Sequence, residues 1–158
     1  METLPALLKD LPASFWDVRF DADRYPGTVA RGDLSQGANC HVFAYAILAE
    51  FGFLLPDLRS AELWRDTEST QVVLMPRPLD LVLFHDREQA WGAHVGVVCG
   101  ADEVVHLSAE VGRPAVWTFA EFAARPRFSH LIGYKRPLPS RLLASPGCWR
   151  PSETDRSP

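Results

Sequence analysis

A chain of 158 residues that is 47% hydrophobic and 23% charged falls in the ordinary globular range and is long enough to bury a core as one domain. Its net charge of -4, with Lys and Arg scattered along the chain, supplies neither a basic stripe for phosphates nor a polybasic membrane patch, which excludes nucleic acid and a membrane surface as partners. Its three cysteines, Cys40, Cys99 and Cys148, are too widely spaced for a zinc site or a disulfide scaffold, and their odd number leaves at least one thiol free.

The first ten residues lack a basic stretch, and Pro5, Lys9 and Asp10 interrupt their apolar run, so no signal peptide is predicted. No stretch reaches the roughly 20 apolar residues that span a bilayer. A cytoplasmic protein is expected, with export by a specialised machine as the alternative.

A short helix is expected around Thr3 to Lys9, followed by a connecting stretch rich in Asp and Arg up to Gly37. Gly37-Ala38-Asn39 then supplies a turn and an N-cap amide. After it, Cys40, Phe43, Ala44, Ile47, Leu48 and Phe51 recur at the spacing of an amphipathic helix, which Gly52 ends. A second short helix is predicted from Ser60 to Arg65, with Ser60 as its cap.

Beyond it the period becomes strand-like. Leu79 to His85, Ala93 to Cys99, Val104 to Ser108, Ala115 to Thr118 and His130 to Arg136 are short β-branched or aromatic runs divided by Gly, Pro and Asp. Phe119 to Ala124 reads as a helical turn between the last two. Residues 137 to 158, with five prolines and no apolar period, are expected to form a disordered tail. The outcome is a single α+β domain over residues 1 to 136, in which one helix packs on an antiparallel sheet of about five strands.

Cys40 opens the strongest helix. A helix N-terminus favours a thiolate, and its unpaired N–H groups can also hold the oxyanion of a tetrahedral intermediate. Cys40 equally continues the apolar stripe of its helix, so a core role competes with a nucleophilic one. His94 and His106 sit on adjacent predicted strands among apolar residues. They can serve as general base and as the group that fixes the base's tautomer, or they can be two separately satisfied structural histidines.

The hairpin between them decides. An even loop at Gly100-Ala101-Asp102-Glu103 would set His106 against Val97 and turn the rings to opposite faces. An odd loop or a bulge would set His106 against Gly96, diagonal to His94. An odd loop or a bulge is therefore predicted.

Among the other candidates, Tyr25 in the Arg24-Tyr25-Pro26-Gly27 turn could lend a phenol to the oxyanion site, and Asn39 could line the cleft. Asp33 is a loop charge or an amine ligand, and Glu110 with Arg113 a turn pair or a cleft wall. His41 lies about 100° round the helix from Cys40 and is not expected to be the base. His85 and His130 have no assigned role, Cys99 looks structural, and Cys148 sits in the tail.

Cys40 after Gly37-Ala38-Asn39, then Leu79-Asp80-Leu81-Val82-Leu83-Phe84, His94-Val95-Gly96-Val97-Val98 and Val105-His106-Leu107-Ser108, in that order, resemble the NlpC-type cysteine peptidases of the papain-like clan across about residues 25 to 136. The resemblance implies a papain-like fold, a Cys-His-His triad of Cys40, His94 and His106, and no metal or organic cofactor. It also implies cleavage of an amide bond, as in peptidoglycan stem peptides, often next to D-glutamate, so a small peptide or cell-wall fragment is the expected substrate.

Two departures stand out: Asn39-Cys40-His41-Val42 replaces the usual Asp-Cys-Ser-Gly, and no clear aromatic-Gly-Gly stretch precedes the nucleophile. Open alternatives are an acyl or amide transferase with the same triad, a catalytically silent binding module, and a metal site built from Cys40, His94 and His106.

Overall fold

The computed structural model describes residues 6 to 139. Helix α1 (Cys40–Glu50) and a short α2 (Ser60–Arg65) precede strands β1 (Thr70–Val73), β2 (Leu81–His85), β3 (His94–Gly100), β4 (Glu103–Leu107) and β5 (Pro114–Thr118). Helix α3 (Phe119–Ala123) and strand β6 (His130–Pro137) complete the order. The strands form one antiparallel sheet in the order β1-β6-β2-β3-β4-β5.

The sheet has one strand more than expected. Thr70-Gln71-Val72-Val73 is short and half polar, and its extended form comes from pairing with β6, Thr70 opposite Pro137 and Val73 opposite Tyr134. Pro137 therefore closes β6 instead of opening the tail, and Leu138 N–H still donates to Ser69 O at 2.8 Å. The remainder of the expected tail, residues 140 to 158 with Cys148, lies outside the described residues. So do residues 3 to 5 of the expected first helix, which is a 3₁₀ turn over Ala6–Asp10.

Asn39 caps α1, its Oδ1 accepting Val42 N–H at 2.9 Å. The helix is not amphipathic. Every residue from His41 to Leu48 is buried, because segments before and after the helix close over the flank that would otherwise face water: Val29, Leu34, Leu55 and Leu58 belong to the same core, and the Tyr45 hydroxyl donates to Leu58 O at 2.7 Å. Leu8, Leu11, Phe15 and Val18 join the same core, with Phe15 and Phe43 rings 6.1 Å apart. The N-terminal segment also reaches the sheet, residues 6–10 beside β3 and residues 13–17 beside β5, so it shares with α1 the sheet face carrying Leu81, Leu83, Val95, Val97, Val105 and Leu107.

The opposite sheet face carries a second core of Val82, Phe84, Val98, Val104 and Trp117, roofed by Phe122 of α3 and by Phe128.

The β3–β4 hairpin pairs Val97 with Val105 and Val98 with Val104, then shifts register so that Gly100 faces Glu103, leaving Cys99 as a one-residue bulge before the Ala101-Asp102 turn. A bulge of this parity places His106 against Gly96, as predicted, and turns His94 and His106 to the same face. That face is the one away from α1. Among the described residues no helix is long and apolar enough to cross a membrane.

Candidate active site

Cys40 and His94 come from opposite sides of the sheet and meet at its end, where α1 begins and β3 starts. Both line a cavity of about 330 Å³, with Phe20, Phe84, His85, Ser108, Arg127 and Phe128 among its walls. The turn before β3 is tied to α2 by Ser60, which the sequence suggested as a cap. Arg59 takes that position instead, and Ser60 Oγ accepts Gly92 N–H at 2.8 Å, two residues before His94.

His94 Nε2 lies 2.9 Å from His106 Nδ1, so one nitrogen donates to the other. The surroundings of His106 decide which. Its ring, 1% exposed, packs 4.3 Å from the Trp117 ring and 4.6 Å from the Phe122 ring, and its Nε2 is buried with no hydrogen-bond partner among the described residues. Aromatic faces carry negative charge and tolerate an N–H far better than a lone pair. Nε2 of His106 therefore carries the proton, Nδ1 accepts from His94 Nε2–H, and His94 Nδ1 is left with a lone pair, the form a general base needs.

The thiol is engaged elsewhere. Cys40 Sγ lies 3.3 Å from His41 Nδ1 and makes no hydrogen bond to His94. His41 was expected to point away from the nucleophile. Side chains in the first turn lean toward the helix N-terminus, and the 100° between neighbours is closed there by rotamer choice. His41 is 5% exposed, and its Nε2 is also buried without a partner among the described residues.

Burial pushes the Cys40 thiol up to about 11, against the pull of the Val95, Cys40 and His41 backbone N–H groups directed at it. Burial likewise pushes His41 down to about 4 and His106 down to about 3, and holds His94 well below the usual imidazole range. All four shifts favour the neutral forms, a thiol among neutral imidazoles.

Two solved structures share this architecture. An NlpC/P60 family protein from Bacillus cereus matches 66% of this chain and 33% of its own length at 18% identity and a TM-score of 0.50. A lipoprotein-like NLP/P60 family protein from Staphylococcus aureus matches 89% of this chain and 46% of its own length at 15% identity and a TM-score of 0.57. The chain has an NlpC/P60-type fold. It spans less than half the length of either protein, and no family model and no curated protein matches its sequence.

Within this NlpC/P60-type fold the remaining candidates fall into place. Tyr25 lines neither cavity that borders Cys40; its ring carries the Arg59 guanidinium at 4.3 Å. Asn39 lines the second of these cavities while capping α1. Asp33 sits in its loop, accepting from Ser35 and 4.0 Å from Arg24. Glu110 pairs with Arg125 at 2.7 Å, not with Arg113. Cys99 is buried in the bulge, its thiol pushed up to about 12.

Sequence reasoning missed His85, which pairs with Asp86 at 2.7 Å on the cavity wall, and the cavity residues Arg59, Arg65, Trp91 and Arg127. No motif marks them; they are brought in by loops and by α2.

Proposed function

We propose that this chain is a cysteine hydrolase that cleaves the amide bond of a small peptide or a cell-wall-type fragment, with Cys40 as nucleophile, His94 as general base and acid, and His106 as the residue that fixes the tautomer of His94. The observation that carries the reading is the 2.9 Å His94 Nε2 to His106 Nδ1 hydrogen bond on a cavity that Cys40 also lines.

The chemistry starts with rotation of Sγ from His41 toward His94. Sγ attacks the substrate carbonyl carbon while its proton passes to His94 Nδ1, and the carbonyl electron pair moves onto oxygen, which the Cys40 and His41 N–H groups at the helix end receive. Collapse of the tetrahedral intermediate breaks the C–N bond. His94 returns the proton to the leaving amine, and a thioester remains on Cys40. Water, deprotonated by His94, then releases the acid. Because burial favours the neutral thiol and the neutral imidazole, His94 acts in this scheme as a base during attack and not by holding a standing ion pair. A transferase differs only in the acceptor that replaces water.

The test is acylation by p-nitrophenyl acetate, with the acetyl thioester located by peptide mass spectrometry. Acetylation concentrated on Cys40, and slowed on the order of 10²-fold or more in His94→Ala, is expected. Acetylation of Cys40 at the pace of Cys99, or unaffected by His94→Ala, would leave a silent binding module as the correct reading.

A further inference from the structure

We infer that His41 is a positioning residue that holds the resting Cys40 thiol protonated and away from His94, and that substrate releases it by drawing Sγ across the cavity. The inference rests on the hydrolase reading above and concerns the control of that same site. Cys40 is half-buried and borders the same cavity as His94. Its Sγ nonetheless lies 3.3 Å from His41 Nδ1.

Two observations fix which atom carries the proton between them. The backbone N–H groups of Val95, Cys40 and His41 are already directed at Sγ. The sulfur is thus well supplied with donors, and what a neutral thiol still needs is an acceptor for its own hydrogen, which Nδ1 provides. The far side of the ring gives the same assignment. His41 is 5% exposed, its Nε2 has no hydrogen-bond partner among the described residues, and the Tyr45 ring lies 6.1 Å away, inclined at 71°. Beside an aromatic ring a buried N–H costs less than a buried bare lone pair. His41 therefore carries its proton on Nε2 and turns the Nδ1 lone pair to the thiol.

This pairing suits the thiol and opposes the thiolate. S–H donates to Nδ1, but a thiolate in the same place would meet a lone pair. The ring cannot reverse its role. Moving the proton to Nδ1 leaves Nε2 a bare buried acceptor, and protonating both nitrogens creates a cation that burial and the field of Arg59 both resist. The ring is also backed by Tyr45, one turn further along α1, whose hydroxyl is tied to Leu58 O at 2.7 Å. His41 is thus no second base. It accepts the thiol hydrogen and keeps it until Sγ turns to His94.

The first measurement needs no substitution. Long-range proton–nitrogen correlation spectra of the ligand-free protein are expected to show His41 as the Nε2–H tautomer, and an Nδ1–H tautomer overturns the latch. The second compares Cys40 alkylation by iodoacetamide in the unmodified protein and in His41→Phe, which keeps a ring in the site and removes Nδ1. The rate at about pH 7.5 should increase on the order of tenfold, the worth of one hydrogen bond, and its rise with pH should begin lower. Cys99 is the internal control. An unchanged or slower rate at Cys40, or one that rises only in step with Cys99, overturns the latch. Acetylation by p-nitrophenyl acetate separates the two readings. In His41→Phe it should also accelerate and should remain dependent on His94. Loss of acetylation in His41→Phe would make His41 the base and overturn the latch. Acetylation that does not depend on His94 overturns the hydrolase instead, while the tautomer and the alkylation ratio report on the latch alone.

Discussion

His41 Nδ1 lies 3.3 Å from Cys40 Sγ, so the ligand-free thiol is hydrogen-bonded to its neighbour on the helix and not to the histidine across the cavity. Burial pushes the thiol up to about 11 and holds His94 well below the usual imidazole range, and both shifts favour the neutral thiol and neutral imidazole over a thiolate–imidazolium pair. The alkylation rate of Cys40 by iodoacetamide in the ligand-free protein should therefore keep rising between about pH 7 and about pH 10, tracking the thiolate fraction. Peptide mass spectrometry against time at each pH measures it. A rate already level at about pH 6 would mean a standing ion pair and would contradict this description.

The tautomer argument makes His106 separable from its neighbours. His106→Leu removes the acceptor of His94 Nε2–H and should slow Cys40 acetylation by p-nitrophenyl acetate on the order of 10²-fold. His106→Gln supplies an amide oxygen and should recover part of that loss, while a role in packing alone predicts the opposite order, since leucine suits the Trp117 and Phe122 surroundings better. The pH dependence of acetylation distinguishes the two further, because only the tautomer role shifts the point at which His94 titrates.

Much of this site was legible in the sequence because it rests on periodicity. Alternation along β3 and β4 reduced the relation between His94 and His106 to parity, and one bulge at Cys99 settled it. The start of α1 was legible because Gly37 and Asn39 are local turn and cap signals. What escaped depended on tertiary contact. The outer face of α1 is buried only because segments before and after it pack around it, and β1 is a strand only because β6 lies beside it. The contact of His41 with the Cys40 thiol escaped because helical angles describe where a side chain leaves the axis, not where it ends in the first turn. Arg59, Arg65 and Trp91 carry no spacing rule at all.

Gly96 is the contact point of the two histidine strands. A Cβ there would lie 2.5 Å from Val104 Cγ1, 3.2 Å from the Val105 carbonyl oxygen and 3.3 Å from His106 Cβ. Neither the branched Val104 nor the ladder carbonyl can give way without moving β4. Gly96→Ala should thus destabilise the fold by about 1–3 kcal/mol and lengthen the 2.9 Å bond between the rings. Denaturant titration reads the first effect and Cys40 acetylation the second. Wild-type values of both would show that the strands are not held at this contact.

The buried imidazoles also set the acid limit of the fold. His41 and His106 are 5% and 1% exposed, and their folded values of about 4 and about 3 lie below the roughly 6.5 of an unfolded histidine. Between the unfolded and folded values the unfolded chain binds protons that the folded chain refuses, so stability rises with pH across that window and is lost as pH falls through it. Each histidine contributes at most about 1.4 kcal/mol per pH unit; His94, also held down by burial, acts in the same direction. The urea midpoint should therefore fall steadily from about pH 6.5 to about pH 4, above the range in which Asp86, held at about 2, is protonated. His41→Gln/His106→Gln should flatten that slope even if it lowers the midpoint at neutral pH. A midpoint constant to about pH 4.5 in the unmodified protein would show that the rings are reached by water and carry protons in the folded state.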